Sequence, residues 1–269
     1  MAGMAIPDLR AQARELLICA DPTRKAAATR CLASTDPVAT DTVYADAAEI
    51  PGRPERPALV GFNALKRRSA ATPQGRAVLL HALAHIEFNA INLALDIVWR
   101  FAGLPEAFYR QWVTVAREEA LHFELLRAHL QTLGHDYGDF PAHDGLWEIA
   151  HKTRDDPLAR LALVPRTLEA RGLDASPPMR DKLLAAGDPD AAAILDIILR
   201  DEIGHVAVGN HWYRHVCRAR DLDPIATYAQ LAARHGAPRL RGPFNLAARR
   251  AAGFDETELA LLQADAAAG

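Results

Sequence analysis

Arg117-Glu118-Glu119-Ala120-Leu121-His122-Phe123 and Leu199-Arg200-Asp201-Glu202-Ile203-Gly204-His205-Val206 share one spacing: a glutamate followed three residues later by a histidine. On a helix, residues three apart lie on the same face, so each motif offers one carboxylate and one imidazole to a single point. The neighbours fix which face that is. Val115, Ala116, Phe123 and Leu126 share the face of Glu119, and Leu195, Ile198, Leu199 and Val206 share that of Glu202. Both motifs therefore point inward. An ionised carboxylate in a core costs several kcal/mol unless it is paired or bound to metal, and no inward Lys or Arg accompanies either one.

Glu87 behaves alike, set among Leu80, Leu83, Ala84, Ile91 and Ala94 on one side of a long apolar stretch, with His85, Asn89, Asn92 and Asp96 on the other. About sixteen residues separate Glu87 from the Gly103-Leu104-Pro105 turn, and about fifteen more lead on to Glu119. Two antiparallel arms of equal length bring Glu87 and Glu119 level. In the second half, Glu169 precedes Glu202 much as Glu87 precedes Glu119. There the arm count is spoiled by an expected break over Gly172–Pro178, and the pairing of nearby Arg166 decides whether Glu169 is available. A single E-x-x-H is a weak signal on its own. Two copies on core faces, with two further inward glutamates at near-repeating separations, point to a metal centre.

The resulting order is Glu87, then Glu119 with His122, then a long crossover, then Glu169, then Glu202 with His205. Four carboxylates and two imidazoles from four helices match the ferritin-like di-iron and di-manganese arrangement. Oxygen and imidazole donors suit iron or manganese, whereas a structural zinc site favours thiolates. Glu118 and Asp201, each just before a ligand glutamate, are candidates to orient a histidine on a neighbouring helix.

The rest of the sequence frames that centre. Ala and Leu are abundant and aromatics sparse, which favours helix. A net charge of -3 and a pI near 6.4 give no global case for nucleic acid or anionic membrane. Cys19, Cys31 and Cys217 are scattered with no C-x-x-C pair, which excludes a zinc ribbon or rubredoxin-type iron and suits a reducing compartment. No secretory signal and no apolar membrane span are read, so a soluble, cytoplasmic protein is expected.

Two short helices are expected over residues 7–34, breaking near Asp21-Pro22, then a Pro-rich arm to about residue 73. Val43, Tyr44, Ile50, Leu59, Val60 and Phe62 give that arm something to bury. Long helices follow over Gly75–Phe101, Glu106–Leu133 and Asp190–Arg220, with shorter ones over Leu146–Thr153, over Pro157–Arg171 (kinked or loosened near Pro165) and up to Ala186, and two or three in the tail. The expected organisation is an all-α chain: an N-terminal arm over 1–73, a four-helix bundle over 74–220 and short C-terminal helices over 221–269.

His85-Ile86-Glu87-Phe88-Asn89-Ala90, Glu118-Glu119-Ala120-Leu121-His122-Phe123, the run Tyr137 to Trp147 and Leu199 to Val206 together resemble the DUF455 family of bacterial ferritin-like proteins. The resemblance covers about residues 20–255. It implies a ferritin-like fold with the six ligands already named, and little about the reaction. More distantly, the chain looks like the tRNA-hydroxylating di-iron monooxygenases and the rubrerythrins.

The function expected is a di-iron, or di-manganese, oxidoreductase that activates O2 or peroxide, such as an oxygenase or hydroxylase. The arm and the 135–145 loop would cover its substrate. It would need an external electron donor, since the chain has no iron–sulfur ligands. The alternative is a non-catalytic metal-binding or storage protein, which assembly into a large homo-oligomer would favour. A tRNA substrate has only Lys66-Arg67-Arg68, Arg239 and Arg241 in its support. His81 and His85 read as surface or loop-packing residues, His211 and His215 as interfacial or exposed, Trp147, Trp212, Tyr109 and Tyr213 as packing, and His143-Asp144 as a helix cap in preference to an entrance lining.

Overall fold

The structure, a computed structural model, describes residues 8–45, 50–65 and 69–267, with only the backbone at Phe62; Lys66-Arg67-Arg68 and the side chain of Phe62 lie outside the described residues. Among the described residues the chain is all-helical: no β-strand forms, and Leu59 and Ala142 make an isolated bridge. It divides into two compact units, residues 1–147 and 148–269.

The first unit is built on α3 (Pro73–Arg100) packed against α4 (Glu106–Thr132). Thr72 caps α3 by accepting from the Gly75 amide, Pro73 opens it, and Gly103, at φ +75°, makes the turn that returns the chain. Two N-terminal helices, α1 (Leu9–Ile18) and α2 (Pro22–Arg30), lie on α3 and α4 respectively. Asp8 and Asp21 cap them through backbone amides.

Two buried cations tie the arm to these helices. The Arg10 guanidinium donates to the Val98 and Trp99 carbonyls at 3.1 and 2.8 Å, at the end of α3 where helix carbonyls lack partners. It also donates to the carbonyls of Ala39, Thr40 and Thr42 in the arm. The Lys25 amine donates to Leu17 O, Gly52 O and Asn92 Oδ1, and burial pushes it down to about 7. This explains one departure from the sequence expectation and one feature of α3. Val43 is 84% exposed and Leu59 half-exposed, because buried polar contacts hold much of the arm. The side of α3 bearing His85, Asn89, Asn92 and Asp96 is buried as well, since Lys25, the 137–143 segment and Arg100 supply its partners. By length and composition α3 could cross a membrane, contrary to expectation, but most of its apolar window is packed inside the chain, as in a core helix.

The second unit comprises α6 (Pro157–Leu163), a π-turn over Val164–Glu169, α7 (Ala170–Ala185) and α8 (Pro189–Ala219), then α9 (Pro224–His235), α10 (Leu246–Ala251) and α11 (Glu256–Ala267). The short α5 (Gly145–Lys152) carries the division between the units. The expected break over Gly172–Pro178 does not occur: α7 runs through Pro177 and Pro178. Pro177 deprives the Leu173 carbonyl of its helical donor, and the Asn245 amide group supplies one at 3.2 Å. Leu173 and Leu183 are fully buried, and the packing of α7 on α8 holds the helix together across the prolines.

The irregularity falls instead at the π-turn. Its Pro165 packs directly on α8 at Gly209, where an added Cβ would sit 2.3 Å from Pro165 Cβ. Thr167 anchors the turn, its hydroxyl donating to Ala162 O at 2.9 Å and lying 2.8 Å from the Tyr228 hydroxyl.

Gly209→Ala is therefore expected to cost about 1–3 kcal/mol in urea unfolding, because Pro165 cannot retreat without moving the turn. Gly204→Ala, with open space around its Cβ, is expected to be neutral or to stabilise by up to about 1 kcal/mol. Equal effects at the two positions would contradict this packing.

A second expectation concerns acid. His81 is buried and accepts the Gly138 amide at 2.9 Å; burial lowers it, and His85 beside it, to about 4. Their folded values lie below the unfolded 6.5, so the unfolded chain binds more protons between those limits. The stability from neutral His81 is present above pH 6.5 and is lost as pH falls towards 4. Wild type should thus lose on the order of 2 kcal/mol more than His81→Gln between pH 7 and 4.5 in urea titrations, and parallel losses would overturn the assignment.

Candidate metal centre

In the first unit, Glu87 from α3 meets Glu119 and His122 from α4. Equal arm lengths across the Gly103 turn bring them level. His122 Nδ1 lies 3.3 Å from Glu87 Oε2 and 3.4 Å from Glu119 Oε2. Donor atoms of all three side chains fall within 4.8 Å of one another, a spacing one metal ion can bridge. Glu119 and His122 are wholly buried and Glu87 is 4% exposed.

The electrostatics follow from that burial. Burial first, and then the adjacent Glu119 charge, hold the Glu87 carboxyl well above the ordinary carboxylate range; the His122 hydrogen bond only partly opposes them. For His122, burial favours the neutral ring, but hydrogen bonds to Glu119 and Glu87, with both their charges, outweigh it and push the imidazole up to about 11. The cluster thus gathers positive charge to offset its carboxylates, and His122 lies against both of them. A bound cation would meet the same demand, with two anionic oxygens and one imidazole nitrogen as donors.

In the second unit, α8 presents the other motif. Glu202 and His205 are buried, with His205 Nδ1 3.8 Å from Glu202 Oε1. Gly209 continues their stripe one turn further on, and it is the residue on which Pro165 seats. Glu169 closes the π-turn four residues after Pro165 and is partly buried. α7 and α8 run antiparallel about the Gly187 turn, so the uninterrupted α7 places Glu169 near the level of His205. π-turns inside helices recur at functional sites, where the extra residue re-aims a side chain.

Arg166 does not compete for Glu169. Its guanidinium donates to Glu258 at 2.6 Å and stacks on the rings of Tyr213, Tyr228 and Phe254. Glu258 also accepts from Arg214 at 2.5 Å, so one carboxylate of α11 fastens both arginines. Glu118 and Asp201, the two candidate orienting groups, are partly buried, and Asp201 accepts from its neighbour Arg200 at 2.8 and 3.0 Å.

The remaining histidines have other partners. His85 Nδ1 lies 2.9 Å from the Tyr137 hydroxyl, and His81 stacks on the same ring. His143 Nδ1 accepts the Gly145 amide at the start of α5, while Asp144 pairs with Arg53 at 2.6 Å. His211 is exposed and packs edge-on against Trp212. Gly209, Thr167 and Glu258 escaped the sequence reading. Only Gly209 left a signal, as a mid-helix glycine on the stripe of Glu202 and His205.

Comparison with known proteins agrees with the motif resemblance. An uncharacterized protein of Haemophilus influenzae is 51% identical over 213 residues, covering 77% of this chain and 74% of the relative. No solved structure matches the chain. The family described as "Protein of unknown function (DUF455)" matches residues 18–260, and the chain belongs to that family.

Proposed function

We propose that this protein is a ferritin-like di-metal carboxylate oxidoreductase, with iron as its metal and manganese as the substitute. Glu87, Glu119 and His122 form one ligand set, and Glu169, Glu202 and His205 the other. The observation that carries the reading is the first set: two carboxylates and an imidazole, buried, with donor atoms within 4.8 Å of one another. The repeated E-x-x-H on α8 and the π-turn at Glu169 support a matching second set.

The residues fit such a group. Carboxylate oxygens and imidazoles are the donors that iron and manganese favour, and no thiolate stands among them. Bound iron would supply the redox chemistry of O2 or peroxide, which none of these side chains can perform. The chain's own contribution is to fix the donors and keep them dry. Glu87 and Glu119 supply the anionic oxygens, and His122 the nitrogen, from two helices whose register is set by their packing. Phe88 and Phe123, both buried and 5.4 Å apart between ring centroids, wall the layer beside them. Glu118 and Asp201 would orient the imidazoles. Electrons would come from a separate donor.

Elemental analysis after anaerobic Fe(II) loading tests the reading, with Glu119→Ala, His205→Ala and the control His211→Ala alongside. Two metal ions per chain are expected in wild type and control, with a loss of at least tenfold in affinity in the two ligand variants. Uptake that stops at two and is followed by O2 consumption fits an oxidoreductase; uptake continuing far beyond two would favour storage. A folded wild type that stays metal-free would contradict both.

A further inference from the structure

The other side of α3 holds a different kind of site. His85 and Asn89 stand two residues before and after Glu87, so they point away from it across the helix. Between that side, Ala64 and Leu65 of the arm, and the segment from Phe140 to Leu146 lies a cavity of about 550 Å³. That volume is in the usual range for small-molecule sites.

Its chemistry is asymmetric. Val78, Leu79, Ala82 and Ile86 of α3 face Phe140 and Leu146, giving apolar walls, and Ile86 is 44% exposed although it belongs to a core helix. Polar groups gather where His85, Asn89 and His143 meet: His85 Nε2 lies 3.1 Å from the His143 carbonyl and 2.9 Å from Asn89 Nδ2. Among the described residues that line the cavity there is no Asp, Glu, Lys or Arg. A charged ligand would therefore give up its hydration without gaining a counter-charge.

We propose that this cavity binds an uncharged, mainly apolar small molecule carrying one hydrogen-bonding head, such as a hydroxyl, carbonyl or amide. The head meets Asn89, His85 and His143, and the apolar body lies along Val78, Ala82 and Ile86. The site shares α3 with the carboxylate cluster but none of its side chains, so it does not depend on the metal reading.

The test uses 2-naphthol as a neutral probe and naphthalene-2-carboxylate as its charged counterpart, titrated into the full chain by calorimetry at pH 7. Saturable binding of 2-naphthol at one site per chain is expected, with the carboxylate at least tenfold weaker. Ala82→Trp, which fills the cavity from an exposed helical position, should weaken 2-naphthol at least tenfold with unchanged thermal unfolding. Asn89→Leu should reduce the preference for 2-naphthol over naphthalene. No saturable binding, binding unaffected by Ala82→Trp, or equal binding of the carboxylate would each overturn the proposal. So would sedimentation showing a wild-type dimer that Ala82→Trp dissociates, since the occupant would then be a second copy of the chain.

Discussion

Two carboxylates side by side in an apolar core are what the first unit must accommodate. Glu119 is wholly buried and Glu87 nearly so. Like charges at such range in a dry interior raise the energy of the ionised state by several kcal/mol. A fold selected for stability alone would replace them with aliphatic side chains of similar volume. Their presence, with His122 against both, is what a metal site as proposed here would account for.

The rest of each unit makes that arrangement rigid. In the first, Arg10 and Lys25 use their charge where the backbone needs donors, at the ends of α3 and α1 and along the arm. Both cations are thereby engaged by backbone carbonyls, and Lys25 also by Asn92. In the second unit Arg166 pairs with Glu258 and lies over three aromatic rings. Arg166, three positions before Glu169, thus has its carboxylate partner 92 residues along the chain.

The sequence made much of this legible, for reasons that differ by element. α3 and α4 could be read because their turn is marked by Gly103 and Pro105 and because arm lengths are simple arithmetic. Glu87, Glu119 and His122 stood out as polar residues on apolar stripes, and the structure places them together. The helix through Pro177-Pro178 could not be read, since its continuity depends on Asn245, some seventy residues later, lending a donor to Leu173. The π-turn was visible only as a suspected kink at Pro165; its cause is the missing side chain at Gly209, a tertiary fact. Helical periodicity set His85, Asn89 and Asn92 opposite Glu87 but could not show that this side is buried too, because its cover is an arm without regular structure.

The central proposal is that the buried acid and imidazole groups serve as ligands for a pair of metal ions. Electron paramagnetic resonance of the protein loaded anaerobically with two equivalents of Mn(II) tests it most directly. The account predicts the closely split, multiline spectrum of an exchange-coupled manganese pair, abolished by Glu87→Ala. A plain six-line signal from isolated Mn(II), or the spectrum of free aqueous ion alone, would contradict it.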